Sequence, residues 1–545
     1  MTRPDPTEAR DHLTAWRAQV EQNSFEVDAH LQSLLTHYGR EGLSERLHPF
    51  GALCATELDA LIRENNRDEN LPRLARYDDL GNRVEAVDFH PTYHAIGRLL
   101  YGTGLMALYG TPGHELESLA YLYLFAQNGE GGHACPCACT AGLIKILQAD
   151  EGDHAEWLGK LLTPDYDHHF HGSQFLTEVQ GGSDVGSNAA VARSAGDGTW
   201  RITGEKWFCS VIDADLFLLT ARPEGAPDGT RGLQAYAVPR RLSDGTVNAF
   251  AVRRLKYKLG TRSMASAEVD FDGAFAVPVG DFHDVVVIVL NTSRLYNAVC
   301  SAGMMQRVWM ESNAYARARE AFGKPILGFP NVARILARLR TEAYAARGLT
   351  FFLADLSDRI ATGRATVTET GAWRMLVNLN KYWTSHIGTS CVRDGIEVLG
   401  GNGTIEEFTV LPRLLRDSIV CEAWEGSHNV LCAQVLRDSR RFGLHRAMFA
   451  VLEDLSGGHA RLTRAAERWE ALLAGPEACA EGLIRDVVDE LRPVAQALVL
   501  HAESRRGGSD PLLPVVIEHL LEITRPDYDP MADQGLMERV SVLAD

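Results

Sequence analysis

The spacing of apolar residues divides the chain into three stretches with different predicted secondary structure. Up to about residue 165, segments such as 116–127 repeat apolar residues at intervals of three and four, which predicts helices. Between about 170 and 280, short apolar segments begin at Trp200, Leu216, Leu233 and Ala267, with turn residues between them, which predicts strands. After about residue 290 the helical period returns. This order excludes an alternating βαβ architecture and predicts a compact antiparallel β-domain between helical regions.

The last 250 or so residues carry the most regular helical pattern in the chain. One apolar stripe runs from Ile335 to Ile360, and another runs from Ile484 to Leu498. Glycine-containing pairs interrupt the final part of the chain. We therefore predict four domains. They are an N-terminal helical domain over 1–168, a middle β-domain over 169–285, a helical bundle domain over 286–437 and an appended helical tail over 438–545.

Composition and charge narrow the class of protein. The chain has 545 residues and a formal net charge of −18, and so acidic a protein repels the phosphate backbone of nucleic acids. The tail after residue 439 has 12 Arg, no Lys and 18 acidic residues, so we expect it to pack as a helical appendage. Ten Cys are too few for a disulfide framework. We find neither a signal peptide nor an apolar run of the roughly 18 residues that a membrane span needs, and expect a cytoplasmic protein.

Five short motifs carry candidate chemistry. In the first, over 176–185, Gly181 and Gly182 are flanked by hydroxyl side chains, and glycine lets backbone N–H groups approach an anion. Such a segment alone is more often a tight turn. The other four motifs follow at 204–210 (GEKWFCS), 315–326 (YARAREAFGKPI), 397–403 (EVLGGNG) and 424–429 (WEGSHN).

In this order and at these separations, the five motifs resemble the acyl-CoA dehydrogenase family of flavoproteins over roughly residues 90–437. The chain length and the segment FHPTYH at 89–94 are similar to the long, AidB-like subfamily. The resemblance implies an α+β, mainly α fold. Its parts are an N-terminal helical domain, a small antiparallel β-domain, a C-terminal four-helix-bundle domain and an extra helical tail.

The resemblance also implies a site for FAD. Thr177 and Ser183 match the hydroxyls that contact the flavin ring and pyrophosphate, and Trp207 matches the Trp beside the isoalloxazine. Arg319 and Phe322 match an Arg-x-x-Phe that reaches the FAD of a neighbouring subunit, so a homo-oligomer, expected to be a tetramer, is implied. The implied FAD contacts are Leu176, Thr177, Gly181, Gly182, Ser183, Trp207, Cys209, Ser210, Arg319, Phe322, Glu397, Gly400, Gly401, Ser427 and Asn429. Ser183 and Arg294 are implied to contact the substrate.

Glu425 matches the family's catalytic base. Oxidation of a Cα–Cβ bond beside a thioester needs a base for the α-proton and an acceptor for the β-hydride, which flavin N5 provides. An apolar site raises the pKa of a carboxylate toward neutrality and suits it to this task. Some relatives place the base before an Arg-Leu pair, where this chain has Ser293, which cannot serve. The resemblance therefore implies an FAD-dependent oxidoreductase acting on an acyl-, aryl- or enoyl-CoA thioester.

Departures from the family pattern leave alternatives open. Cys209 stands where the family usually has a Thr that donates to flavin N5, and Glu397 replaces a usual Gln. A weaker donor at N5 changes how the reduced flavin meets oxygen, so an oxidase or oxygenase using O₂ competes with a dehydrogenase using an electron-transferring flavoprotein. A DNA-associated flavoprotein like AidB is a third class, which the acidic tail disfavours.

Two clusters of potential metal ligands are interpreted as structural. Cys135, Cys137 and Cys139 lack the paired spacing of a zinc site and are predicted to pack at the entrance of a helix beginning near Thr140. We also consider a role in lining the pocket near the flavin. His90 and His94 have no third ligand nearby in sequence and are predicted to be packed or hydrogen-bonded. No metal site is predicted.

Overall fold

The computed structural model describes residues 6–545 and divides the chain into two compact units. The helical unit consists of the residues up to Asp59, Gly113–Gly129 and Asn297–Asp545. The β-containing unit consists of Ala60–Pro112 and Glu130–Tyr296.

The helices are, in chain order, α1 (Pro6–Val20), α2 (Ala29–His37), α3 (Ser44–Ala55), α4 (Glu57–Asn65), α5 (Pro91–Tyr101), α6 (Glu115–Ala126), α7 (Gly131–Ala149), α8 (Ala155–Leu161), α9 (Phe282–Asp284), α10 (Asn291–Ala318), α11 (Pro330–Ala361), α12 (Val367–Leu399), α13 (Leu411–Ala423), α14 (His428–Phe442), α15 (Leu444–Ser456), α16 (Ala460–Ala474), α17 (Glu477–Ser504), α18 (Leu513–Ile523) and α19 (Leu536–Ala544). The strands are β1 (Arg73–Tyr77), β2 (Arg83–Asp88), β3 (Gly172–Phe175), β4 (Val191–Ser194), β5 (Trp200–Ser210), β6 (Leu216–Pro223), β7 (Gln234–Pro239), β8 (Phe250–Leu255), β9 (Ser266–Asp281), β10 (Glu320–Ala321) and β11 (Lys324–Pro325).

Long helices packed side by side form the core of the helical unit. The two predicted apolar stripes lie in α11 and α17, which pack against each other, and α11 also packs against α12. Because the apolar side of α11 is buried along most of its length, the predicted helical period is confirmed.

The acidic tail packs onto these helices. Ala337 and Tyr344 of α11 share a buried apolar cluster with Leu500, Leu513 and Val540 of the tail. The tail therefore packs as a helical appendage, as the sequence predicted, and it belongs to the same compact unit as α11.

A buried polar network links distant segments of the helical unit. Arg347 of α11 has 1% of its side chain exposed and donates to the Asp28 carboxylate at 2.6 Å and the Tyr123 hydroxyl at 2.6 Å. It also donates to Nδ1 of His30, so Nε2 of that imidazole carries the proton donated to Glu503 of α17, at 3.0 Å. Burial raises the pKa of Glu503 to about 8. This network joins the N-terminal segment and the tail to the bundle.

Seven strands form the sheet of the β-containing unit. Strand β6 pairs with β3, β4 and β7, and the circuit β6–β4–β5–β9–β7 returns to β6 and closes a small barrel. Residues 216–221 of β6 are all buried, which explains why all of them except Thr220 are apolar. Most pairings are antiparallel, as predicted, but β3 and β4 each pair with β6 in parallel.

Two local elements differ from the sequence prediction. The segment 73–88, predicted to lie among helices, forms the antiparallel hairpin of β1 and β2. The second difference is that α7 begins at Gly131, capped by the Glu130 carboxylate, and not near Thr140. The cysteine segment therefore lies inside α7, with Pro136 in the helix, and Cys135, Cys137 and Cys139 are buried.

Within residues 6–545, one helix, from Phe282 to Ala318, is long and apolar enough to cross a membrane by length and composition alone. Its apolar window is 72% buried inside the protein, which is typical of a core helix. A π-helical turn over Val285–Leu290 leads into α10.

Candidate active site

The glycine turn of the first motif follows β3 in the β-containing unit. Glu178 and Gly181 exchange both backbone hydrogen bonds, each 3.1 Å long, and close a tight turn. Gly181 must be glycine because a Cβ atom there would lie 2.3 Å from the carbonyl oxygen of Asp184. Gly182 and Ser183, which follow the turn directly, are exposed. The turn therefore offers exposed backbone and a hydroxyl, groups that suit an anion.

A buried ion pair supports this turn. The Glu178 carboxylate accepts a hydrogen bond of 2.7 Å from Nζ of Lys206 in β5, and both side chains are buried. The same carboxylate accepts the backbone N–H of Ala189 at 2.6 Å, so its buried charge is well compensated. The backbone N–H of Trp207 donates to the carbonyl of Thr177 at 2.9 Å. The structure thus brings the first two sequence motifs together.

A β-bulge in β5 sets the direction of the aromatic side chains. Lys206 and Cys209 pair with residues of β9 that are only two apart, so Trp207 and Phe208 share one position opposite β9. Nζ of Lys256 lies 3.6 Å from the centroid of the Trp207 ring and 4.7 Å from that of Phe208. Both rings therefore lie on the same side of the strand, where Phe208 is 51% exposed.

The bulge also decides which polar group is accessible. Cys209 is 0% exposed, and burial raises the pKa of its thiol well above its usual value. Ser210 is only half-buried, and its hydroxyl oxygen lies 3.1 Å from that of Ser266. The buried thiol does not favour the predicted contact between Cys209 and a flavin, which stays a prediction. Ser210 is the available donor.

Arg294, predicted to contact the substrate, is buried in α10. Its guanidinium donates to Oδ1 of Asn291 at 3.1 Å. This burial does not support a direct contact with a substrate. Ser293 is buried beside it, and its hydroxyl donates to Oε1 of Gln174 at 3.3 Å.

Glu425, the predicted base, lies in the helical unit, in the turn between α13 and α14. Its φ is +56° and that of Gly426 is +99°, both in the left-handed region. A non-glycine residue in this region is strained, and such strain persists where surrounding structure fixes it and is concentrated at functional sites. Glu425 is half-buried, while Ser427 and Asn429 are exposed on the following residues.

A buried lysine fixes this turn. Nζ of Lys381 in α12 donates to the carbonyl oxygen of Glu422 at 3.0 Å and to that of Gly426 at 2.9 Å. These two carbonyls lie on either side of Glu425 in the chain. The ammonium group also compensates the negative C-terminal end of α13. Lys381 therefore positions Glu425 through the backbone.

The third motif forms an exposed hairpin. Strands β10 and β11 are joined by Phe322 and Gly323, with φ values of +54° and +84°. A bulky side chain is unusual in this geometry, in which glycine and asparagine are preferred. Phe322 is nevertheless 92% exposed, and Arg319 beside the hairpin is also exposed.

The glycine pair of the fourth motif ends α12. Gly400 has a φ of +59°, and its N–H donates to the carbonyl of Glu397. A Cβ atom at Gly400 or Gly401 would meet nothing within 4 Å, so packing within this chain does not require the absence of side chains at this pair. Glu397 is exposed in the same region.

Sequence reasoning missed Glu178, Phe208 and Lys381 as site residues. Glu178 and Lys381 act through partners that are distant in sequence, so no local pattern marks them. Phe208 follows Trp207 in a motif that was quoted, but its direction depends on the bulge in β5. The predicted hydrogen-bonding roles of His90 and His94 are confirmed, since His90 caps α5 and Nδ1 of His94 lies 3.1 Å from the Tyr166 hydroxyl.

Three consecutive segments of the chain match domains of known protein families. Residues 16–168 match the N-terminal domain of the adaptive response protein AidB. Residues 173–274 match the middle domain of acyl-CoA dehydrogenases, and residues 283–439 match their C-terminal domain. The five motifs lie within the middle and C-terminal segments.

Individual relatives agree with this assignment. The chain is similar to the putative acyl-CoA dehydrogenase AidB of Escherichia coli strain K12, with 33% identity over 86% of this chain and 87% of that protein. It is also similar to the crystal structure of Caenorhabditis elegans ACDH-11 in complex with C11-CoA, with a TM-score of 0.83 and 26% identity over 93% of this chain and 92% of that one. It shares the fold of a Bacillus anthracis acyl-CoA dehydrogenase complexed with FAD, with a TM-score of 0.66 and 18% identity over 83% and 82% of the two chains. The chain therefore belongs to the acyl-CoA dehydrogenase family of flavoenzymes.

Proposed function

We propose that the chain is an FAD-dependent oxidoreductase that removes an α-proton and a β-hydride from an acyl-CoA thioester. The observation that carries the proposal is the turn of Glu425, a strained carboxylate position that Lys381 fixes from within the helical unit. Family membership supports the class of reaction, and the C11-CoA complex of ACDH-11 supports a CoA thioester as the class of substrate.

The residues present in the β-containing unit fit FAD. The exposed turn at Gly182 and Ser183 suits a pyrophosphate, and the adjacent side chains of Trp207 and Phe208 suit the face of an aromatic ring. Ser210 supplies a hydroxyl donor on the accessible side of β5. FAD, when bound, provides the acceptor for the β-hydride at N5. Full-length protein should therefore purify yellow or take up FAD, and a preparation that does neither contradicts the proposal.

In this mechanism Glu425 accepts the α-proton. Because Lys381 fixes the backbone on both sides of it, the carboxylate is positioned before the substrate arrives, which lowers the entropic cost of the proton transfer. The exposed residues Ser427 and Asn429 are proposed to contact the cofactor, as the family resemblance implies.

A dehydrogenase is favoured over an oxygenase. One of the two motives for the oxygenase alternative, besides the altered turn over residues 281–284, was Cys209 as a weak donor to the flavin, and that thiol is buried. We therefore propose an electron-transferring flavoprotein, and not O₂, as the physiological acceptor. Anaerobic reduction by substrate followed by admission of O₂ tests this choice, because a dehydrogenase reoxidises slowly and an oxidase or oxygenase rapidly.

Replacing Ser210 is expected to affect the flavin, whereas replacing its buried neighbour is not. Ser210→Ala removes one accessible hydrogen-bond donor and should slow anaerobic flavin reduction roughly 3–10-fold, the cost of one such bond. Cys209→Ala, the matched control, should leave the rate unchanged while slightly lowering the melting temperature. Stopped-flow absorbance measures both. If Cys209→Ala slows reduction and Ser210→Ala does not, our assignment of the strand's accessible side is wrong.

The proposal includes a homo-oligomer, expected to be a tetramer. The support for this proposal is Phe322, which the hairpin exposes in a strained backbone conformation. Such a conformation is costly for an apolar side chain that contacts only water. Sedimentation should give a mass near that of four chains of 59.9 kDa each. A monomer that retains FAD would contradict it, and Phe322→Ser should weaken both assembly and FAD retention if the side chain reaches a neighbouring subunit.

A further inference from the structure

Three metal-ligating side chains converge at one end of the helical bundle. They are His386 in α12, Glu422 near the end of α13 and His428 at the start of α14. Their ligand atoms all lie within 4.8 Å of one another. Nδ1 of His386 lies 3.6 Å from Oε2 of Glu422, and Nε2 of His428 lies 3.7 Å from the same oxygen.

Both distances are slightly longer than a good hydrogen bond, and Nε2 of His428 also lies 3.4 Å from the Ser385 hydroxyl, a weak contact that a bound ion would replace. A zinc ion binds imidazole nitrogen and carboxylate oxygen at about 2.0–2.2 Å, which requires each atom to move inward by less than about 1 Å. Side-chain rotation supplies such a shift, since none of the three residues is fully buried.

The helices that carry the ligands are fixed relative to one another. Helix α12 packs against both α13 and α14, so the three Cα positions do not depend on a flexible loop. Lys381 of α12 donates to the carbonyl oxygens of Glu422 in α13 and of Gly426 in the following turn. The rings of His386 and His428 lie 5.3 Å apart, and Tyr382 packs against the His428 ring at 4.7 Å.

We propose that His386, Glu422 and His428 form a binding site for Zn²⁺. Two imidazoles and one carboxylate are a ligand set that zinc uses when it keeps a fourth position for water. The side chain of His386 is 47% exposed, so solvent can reach this group of ligands. A bound ion would link α12 to α13 and to α14, the two helices that flank the turn containing Glu425. The positive charge of the nearby Lys381 ammonium repels a bound cation, and the negative charge of Glu422 compensates for this repulsion.

A second group of possible ligands provides an internal control. Asp281, His283 and Asp284 lie at the end of β9 and in α9. The Asp284 carboxylate accepts the backbone N–H of Asp281, and the Asp281 carboxylate accepts that of Asp284, which is a capping box. Two of the three residues are also exposed. We expect no specific binding there, so His283→Ala is the matched control for adventitious binding to surface histidine.

The test is a competition for Zn²⁺ between the full-length protein and a chromophoric chelator, in a Cys479→Ser background that removes the exposed thiol. We expect one ion per chain, and a loss of affinity of about tenfold or more in His386→Ala and in His428→Ala. His283→Ala should bind as the parent does. Cobalt(II) should give the visible bands of a tetrahedral site in the parent and lose them in both histidine variants.

The site is ruled out if the parent retains no zinc against the chelator, or if the two histidine variants bind zinc as tightly as the parent. It is equally ruled out if His283→Ala causes the same loss. His386 is half-exposed, so His386→Ala should fold normally, and a melting curve checks this. The readout is metal binding alone, so the result does not depend on whether the chain oxidises an acyl thioester.

Discussion

Glu425→Gln is expected to slow reduction of the bound flavin by acyl-CoA by roughly 10²–10⁴-fold, the usual effect of losing a general base. The amide is nearly isosteric with the carboxylate but cannot accept the α-proton. The variant should keep its fold, its yellow colour and its affinity for the thioester, because Lys381 fixes the turn through backbone carbonyls that the substitution leaves in place. Anaerobic stopped-flow absorbance measures the rate, and a ligand titration measures the affinity.

Glu407→Gln is the matched control, since Glu407 is an exposed glutamate of the same unit outside the turn. Its flavin reduction should equal that of the parent. Unchanged reduction in Glu425→Gln would show that the base lies elsewhere. Because a serine at position 293 closes the family's other location for the base, that outcome would also put the proposed reaction in doubt.

Arg347→Met is expected to destabilise the helical unit by about 3–5 kcal/mol, the cost of removing one partner from a buried ion pair. Asp28 would be left as a buried carboxylate without its cation, and His30 would lose the donor to its Nδ1 atom. Urea unfolding monitored by circular dichroism should show the transition of this unit at lower urea. Flavin content and the rate per bound flavin should change little in native buffer.

Arg446→Met is the control for this prediction. Arg446 and Glu470 form a pair with side chains 75% and 51% exposed, so its loss should cost no more than about 1 kcal/mol. The double variant Arg347→Met/Asp28→Asn should recover part of the stability, because it leaves no unpaired buried charge. Equal destabilisation by Arg347→Met and Arg446→Met would contradict the importance assigned to the buried network.

The regular parts of the fold could be predicted from the sequence because their signals are local. The apolar stripes of α11 and α17 each follow one helical period over many turns, and the buried run of β6 is bounded by turn residues. The start of α7 could not be predicted in the same way. The helix was predicted to begin near Thr140, but the Glu130 cap and burial on almost all sides stabilise it from Gly131 onward, through Pro136 and the three cysteines.

The candidate site also has parts that the sequence predicts and parts that it does not. The glycine turn and the Glu425 turn are short, continuous motifs, and the sequence identified both. The burial of Cys209 could not be predicted, because the side of β5 on which it lies depends on the bulge of Trp207 and Phe208. The supporting groups, Glu178 and Lys381, contact partners brought close only by the fold, so they carry no signal in one sequence.

The most direct test of the proposed function is an anaerobic titration of the FAD-loaded, full-length protein with a panel of acyl- and aryl-CoA esters. Bleaching of the visible flavin absorption reports transfer of the β-hydride. We predict bleaching by at least one saturated acyl-CoA with hydrogens at both Cα and Cβ, in the parent but not, on the same timescale, in Glu425→Gln. A flavin that stays oxidised with every ester of the panel, in protein that binds FAD and CoA thioesters, would contradict the proposed oxidation of an acyl-CoA thioester.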